Sequence, residues 1–322
     1  MPRVFVTRQV LPQGIQALYQ HATVRVWEED RPVPRPILEE EFARCDAVLT
    51  MVTDKIDRDL IALNPHIKII SNYGVGYDNI DVATASEKRI PVGNTPNAVT
   101  EGTADIAFAL LMAGARRISE AERFVRNGKW GAWHPQLLLG QDVWGATLGI
   151  IGFGRIGQAM AKRATGFDMR ILYSGNPKPA EAQRVNAQHV ALETLLRESD
   201  FVSVHTALTP QTYHFIGEKE LRQMKPTAIL INTARGGVVD PQALYHALRD
   251  GTIAYTGLDV TEPEPIPMDS PLLSLDNCVI VPHIGSATVK TRTDMGLAAS
   301  ANIIAVLNGE RPRFCVNPHI YD

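Results

Sequence analysis

A chain of 322 residues, 45% of them hydrophobic, is long enough for about two domains with full cores. Its net charge of −3 leaves no basic surface for nucleic acid or an anionic membrane; no run nears the ~18 apolar residues of a membrane span, and MPRVFVTRQV reads as a first strand rather than a signal peptide, so a cytoplasmic location is expected. Cys45, Cys278 and Cys315 lack metal-ligand or disulfide-framework spacing, and neither a metal site nor a disulfide is expected.

From the N-terminus, the apolar runs RVFVT, TVRVW, DAVLT and IKIIS alternate with the amphipathic stretches PILEEEFARC and DRDLIAL, a βαβ rhythm. A long helix is expected from Thr100 to about Ile118, with Thr100 as N-cap. Its IAFALLMAGA segment is apolar around most of the circumference, which calls for burial on more than one side, either in a plain core or between domains or subunits. A strand then runs from Thr147 to Ile151, followed by Gly152, Gly154 and Gly157 in G-x-G-x-x-G spacing, a helix from Arg155 to about Ala164, and a second strand from Arg170 to Tyr173. In that geometry the first glycine makes the turn, the second lets backbone approach a pyrophosphate, and the third lets helix pack on strand. The phosphates sit at the positive end of the helix.

Near residue 175 such units usually carry the acid that bonds the ribose 2'-hydroxyl of NAD and repels the 2'-phosphate of NADP. Here the chain reads Ser174, Gly175, Asn176, Pro177 and Lys178, with no negative charge. NADP(H) is therefore the expected cofactor, with NAD(H) as the alternative, and Gly175→Asp should turn preference toward NADH. A solvated polar turn is the competing reading of the same residues.

Further on, FVSVH, AILIN, YTGLDV and CVIVP read as buried parallel strands, with helices such as EKELRQM and PQALYHALRDG between them. A last helix spans roughly Thr288 to Leu307 and stops at Asn308 and Gly309. Ligands of open α/β sheets bind beyond the carboxyl ends of strands. Arg235 follows one strand, Asp259, Glu262 and Glu264 the next, and His283 another. Each alone reads equally well as a surface cation, a loop charge or a packed histidine. Together they favour acid/base chemistry on an anionic substrate.

The segments GIIGFGRIGQAMAKRA, INTARGGVVD, GLDVTEPEP and VPHIGSAT, in this order and at this spacing, resemble the D-2-hydroxyacid dehydrogenases over nearly the whole chain. NYGVGYDNIDV, RILYSGN and CVNPH resemble the glyoxylate/hydroxypyruvate reductase branch, which includes 2-ketogluconate reductases. The resemblance implies an α/β fold of two doubly wound domains: an NAD(P)-binding Rossmann domain at residues 101–287, inserted into a flavodoxin-like substrate-binding domain formed by residues 1–100 and 288–322, with the active site in the cleft between them. It implies an oxidoreductase that reduces small 2-oxoacids: glyoxylate to glycolate, hydroxypyruvate to D-glycerate, and 2-ketogluconate as a further candidate.

Carried onto matching positions, the family's roles give Arg235 the substrate carboxylate and carbonyl oxygen, His283 the proton donation, and Glu264 the pairing with the imidazole. Spacing from Asp259 selects Glu264 over Glu262. Backbone N–H groups of Val75 and Gly76 would complete the carboxylate site, and Ser286 matches a position near the substrate. At the cofactor, Gly152, Gly154, Arg155, Ile156 and Gly157 form the phosphate turn; Ser174, Gly175, Asn176 and Lys178 surround the 2'-position; Thr206, Thr233 and Asp259 match positions nearby. The long helix and the following WGAWHPQLLLG loop would build a homodimer interface, although Leu137 stands near where some members place an aromatic residue. Two other readings stay open. One is a phosphite dehydrogenase, which has lysine where this chain has Val75; the other is an NAD(H)-sensing protein like the corepressors of this fold.

Overall fold

Short apolar runs that are buried on both faces are what parallel sheets require. The computed structural model, which describes residues 1–322, arranges these runs in two parallel sheets. The chain divides into two compact units, one formed by Met1–Val99 with Ser286–Asp322 and the other by Thr100–Gly285.

The first unit contains β1 (Arg3–Val6), β2 (Thr23–Val26), β3 (Ala47–Met51), β4 (Ile69–Tyr73) and β5 (Val92–Gly93), in the order β2-β1-β3-β4-β5. One face packs Phe5, Phe42, Leu60 and Ile70. The other packs Val4, Val6, Leu18, Leu49 and Ile303, the last from the Val289–Leu307 helix that returns to cover this sheet. The strand β5 is only two residues long, and the C-terminal segment secures its neighbourhood. Asn317, fully buried, accepts from the Val92 amide at 2.8 Å and donates to the Ile90 carbonyl at 2.9 Å and to Ser86 Oγ at 3.0 Å.

The second unit contains β6 (Thr147–Ile151), β7 (Arg170–Ser174), β8 (Ala187–His189), β9 (Phe201–Val204), β10 (Ile229–Asn232), β11 (Tyr255–Leu258) and β12 (Cys278–Ile280), in the order β12-β11-β10-β9-β6-β7-β8. Sequence-adjacent β6 and β7 lie on one side of a reversal, and β9 pairs on the other side of β6. The reversal opens a crevice beyond the carboxyl ends of β6 and β9, where such sheets take ligands.

The apolar helix spans Thr100–Ala115, shorter than the sequence pattern indicates. It packs on β10, β11 and the Arg155–Thr165 helix, which accounts for its all-round apolar character by burial within this unit. Arg117 ends the run by adopting a left-handed backbone, φ +52°, and a separate helix follows at Ile118–Arg126. The Arg117 guanidinium forks onto both oxygens of Glu120, at 2.9 and 2.8 Å. The pair lies in the first turn of the second helix, and no proline announces the bend.

Replacing Asn317 by alanine strands the Val92 amide and the Ile90 carbonyl in the core. At ~1–3 kcal/mol for each unsatisfied buried group, Asn317→Ala should lower unfolding stability by about 2–4 kcal/mol in urea titrations, with an unchanged m-value. A loss under ~0.5 kcal/mol would show that the C-terminal segment does not hold the first unit together.

Candidate active site

The glycine-rich turn follows directly from β6. Gly152 takes φ +93°, and a Cβ there would meet the His205 carbonyl carbon at 2.8 Å and the Thr206 nitrogen at 2.9 Å. A Cβ on Gly157 would lie 2.3 Å from the Gly152 oxygen, so helix and turn touch backbone to backbone. Gly154 is the N-cap of the Arg155–Thr165 helix, and no side chain caps it. Nothing lies within 4 Å of where its Cβ would be. The first-turn amides, those of Arg155 and Ile156 among them, have no side-chain cap at the positive end of the helix, a fit for a pyrophosphate.

Ser174, the last residue of β7, is half-buried, and beyond it Asn176 and Lys178 are exposed. Gly175 takes φ +114°, a region that side chains strain to adopt, and its carbonyl meets His189 Nε2 at 2.9 Å. His189 is a polar group beside this turn that sequence reading passed over, because β8 carries no apolar run to mark it. The left-handed backbone also corrects the simplest mutational test: an aspartate at 175 would bring backbone strain along with its charge.

At the end of β10 the Thr233 hydroxyl is buried without a partner, as a group awaiting a ligand would be. Asn232 accepts from the Ala234 amide at 3.0 Å and donates to the Arg235 carbonyl at 2.9 Å, shaping the turn that presents Arg235. At the end of β11, buried Asp259 accepts from the Ile284 amide at 2.6 Å and the Gly285 amide at 2.8 Å. Both of its oxygens are engaged in fastening the loop after β12. Burial pushes its carboxyl up, against the lowering effect of those two amides.

His283 lies in that fastened loop with φ +52°. Its Nδ1 meets Glu264 Oε1 at 2.6 Å, so Nδ1 carries a proton toward the carboxylate and Nε2 is the nitrogen on the other side of the ring. Burial acts to raise the Glu264 carboxyl. The hydrogen bond and charge of His283, the Thr261 amide and the charge of Arg235 outweigh it and hold Glu264 below its ordinary value. Glu262 makes a different pair, with His214 Nε2 at 2.7 Å.

Val75, Gly76 and Ser286 belong to the first unit. The Gly74 carbonyl accepts from the Thr95 amide at 3.0 Å. The Val75 carbonyl accepts from Asn94 Nδ2 at 2.9 Å and the Gly76 carbonyl from Asn72 Nδ2 at 2.6 Å. In a planar trans peptide the N–H points opposite the preceding carbonyl. Fixing the carbonyls of Gly74 and Val75 therefore aims the N–H groups of Val75 and Gly76 the other way. Asn72 and Asn94 were not singled out from sequence, since nothing in their spacing reveals which carbonyls they reach.

A family model described as D-isomer specific 2-hydroxyacid dehydrogenase, NAD binding domain, matches residues 108–285. The chain is 50% identical over 321 residues to a glyoxylate reductase of Korarchaeum cryptofilum, covering 99% of this chain and 97% of that protein. A crystal structure of a Thermus thermophilus protein superposes with TM-score 0.92 at 44% identity, covering 98% of this chain and 99% of the other. An NADPH-dependent glyoxylate/hydroxypyruvate reductase of Sinorhizobium meliloti, solved with NADP and malonate, superposes with TM-score 0.85 at 31% identity, covering 98% and 96% of the two chains.

His205, beneath the glycine turn, provides a test that needs no ligand. Its Nε2 bonds Ser203 Oγ at 2.8 Å, its Nδ1 is buried without a partner, and burial pushes its pKa down to about 4. The unfolded chain would take up a proton near pH ~6.5 that the folded chain refuses until about pH 4. Stability is therefore lost as pH falls through that window, by at most ~3 kcal/mol. His205→Gln should flatten this acid-side loss in thermal melts taken at several pH values. A parent-like pH dependence in the variant would assign the loss to other groups.

Proposed function

The chain belongs to the D-isomer specific 2-hydroxyacid dehydrogenase family, and from that premise we propose that it reduces glyoxylate to glycolate and hydroxypyruvate to D-glycerate. NADPH is the preferred reductant, NADH the weaker one, and 2-ketogluconate a further substrate. The observation that carries the reading is the 2.6 Å contact of His283 with Glu264, a proton-handling pair beyond the strand ends where this fold takes its ligands.

When bound, the nicotinamide supplies the hydride. The turn of Gly152, Gly154 and Gly157 with the amides of Arg155 and Ile156 holds the pyrophosphate, while Ser174, Asn176 and Lys178 receive the 2'-phosphate. Thr206 and Thr233 border the cofactor, and Asp259 holds the loop beside it. Arg235 binds the carboxylate and carbonyl oxygen of the 2-oxoacid with its planar, permanently charged fork. The N–H groups of Val75 and Gly76 donate to the same carboxylate, near Ser286. His283 gives its Nε2 proton to the carbonyl oxygen as the adjacent carbon is reduced, which completes a 2-hydroxyacid. Glu264 keeps the ring oriented by accepting from its Nδ1–H, which leaves Nε2 toward the substrate.

The glyoxylate reductase name of the Korarchaeum relative and the NADPH dependence in the name of the Sinorhizobium one support this substrate and cofactor. A homodimer is part of the same reading. Trp130, Trp133 and Leu139 put large apolar side chains at the surface in the stretch after the Ile118–Arg126 helix, a composition suited to a second copy. No helix is long and apolar enough to cross a membrane.

The first test is the loss of NADPH absorbance with glyoxylate and hydroxypyruvate. Turnover is expected with both, and the absence of turnover with any small 2-oxoacid would overturn the proposal. His283→Ala should lower kcat by ~10²-fold or more, and Arg235→Lys should raise KM for the oxoacid while sparing cofactor affinity. Glu264→Gln removes the carboxylate that holds the Nδ1 proton and orients the ring, so kcat for reduction should fall by ~10-fold or more with cofactor affinity unchanged; a parent-like kcat would exclude Glu264 from the proton path.

Cofactor choice is tested at Asn176, where the backbone is free of the strain at Gly175. Asn176→Asp should shift the NADPH-to-NADH ratio of kcat/KM toward NADH by ~10-fold, since a carboxylate repels a phosphate and accepts from a hydroxyl. An unchanged ratio would place the 2'-phosphate elsewhere.

A further inference from the structure

The second histidine–carboxylate pair of this unit lies outside the proposed catalytic trio, yet it connects the two loops that carry the trio's charged members. His214 sits between β9 and the Glu218–Leu221 helix in a left-handed backbone, φ +49°, a conformation uncommon for a residue with a side chain. Its backbone N–H donates to the Gly237 carbonyl at 2.8 Å. Its Nε2 meets Glu262 Oε2 at 2.7 Å, and its Nδ1 is 3.8 Å from Asp240 Oδ2. The Tyr213 ring stacks on it with centroids 4.0 Å apart. Asp240 is itself held, because its Oδ1 caps the Pro241–Arg249 helix through the Gln242 and Ala243 amides.

Gly237 is two residues after Arg235, and Glu262 is two residues before Glu264. The loops touch directly between these points, since a Cβ on Gly236 would lie 2.0 Å from the Thr261 carbonyl oxygen. Contact through smooth backbone sets a distance but leaves sliding free. A hydrogen bond at each end of His214, one to each loop, removes that freedom.

We propose that His214, through Glu262, is a positioning residue that fixes the Arg235 turn against the Glu264 loop, and so sets where the carboxylate-binding fork stands relative to the proton donor. The role rests on the function proposed above. It makes the geometry of the reaction depend on a histidine that touches neither substrate nor cofactor. Misplacing catalytic groups by ~1 Å can cost up to ~10²-fold in rate.

The test is steady-state glyoxylate reduction by the full-length protein, with NADPH affinity measured separately by fluorescence titration. His214→Ala should lower kcat/KM for glyoxylate by ~10-fold or more, with KM raised and kcat lowered together, while NADPH affinity stays within ~2-fold of the parent because the glycine turn is untouched. Glu262→Ala should reproduce the loss, and the double variant should be no worse than either single one, as for two members of one connection. His214→Gln, which can still donate to Glu262, should recover most of the activity. A purely structural role would lower the melting temperature without the kinetic loss or the rescue, and either that result or additive losses in the double variant would overturn the proposal. A parent protein without 2-oxoacid turnover would instead overturn the functional reading beneath it.

Discussion

The chemistry of the second unit depends on one buried carboxylate. Asp259 stands at the end of β11 and binds the two consecutive amides, Ile284 and Gly285, of the loop that follows β12. A carboxylate out of water is stable only when its oxygens are engaged, and consecutive backbone amides are unpaired donors in search of an acceptor. Each satisfies the other. The consequence is local and directional: the chain between Ile280 and Gly285 is drawn in, His283 takes its left-handed backbone, and its imidazole reaches Glu264 across a separation of 19 residues. Gly285 permits this, because a Cβ there would stand 2.9 Å from the Asp259 carboxylate. The burial that pushes Asp259 up is the same burial that makes its two hydrogen bonds strong, since a low local dielectric penalises an unpaired group and rewards a paired one.

The opposite end of the crevice is organised by close packing rather than charge. Gly152 turns on the His205–Thr206 peptide, and Gly157 rests on Gly152. Little can be added at either position without moving backbone, which is why a motif defined by the absence of side chains is so informative. Gly154 differs: its missing Cβ would point into open space. Its role is then read from what the open face admits, an anion approaching uncapped helix amides.

Much of this was legible in the sequence, and the reasons differ from element to element. The interior strands β1, β3, β4, β6, β9, β10 and β11 are largely buried, and the apolar residues that dominate most of them mark them in the sequence. Edge strand β8, Ala187–His189, is largely exposed and carries no such mark. The break at Arg117 was hidden for a related reason. Arg117 and Glu120 both have good helix propensity, and their i,i+3 pair is as compatible with a continuous helix as with a bend, so nothing in the local pattern marks the break. Side chains that act through contact with distant groups were invisible as well: Asn72 and Asn94 on the 74–76 turn, Asn317 on β5, and the His214 imidazole on the Glu262 carboxylate. Position in an apolar pattern predicts burial, but not which partner a buried carboxamide or imidazole will find.

Each unit, taken by itself, presents a different kind of group, and under the proposed function the difference bears on which acids fit. The first unit offers backbone N–H groups at Val75 and Gly76, oriented by the Thr95 amide on the Gly74 carbonyl and by the Asn94 carboxamide on the Val75 carbonyl, with an aliphatic side chain where a cation would be needed for a second anionic group. The second offers a permanent cation at Arg235 and the hydrogen-bonded pair of His283 and Glu264. In the proposed reading, that one permanent positive charge is matched to one carboxylate. A dianion such as phosphite, or an oxoacid with a second carboxylate, would carry a charge with no counterpart among these groups and would have to shed its hydration without replacement. Monoanionic 2-oxoacids avoid that penalty, and glyoxylate and hydroxypyruvate are small members of that class.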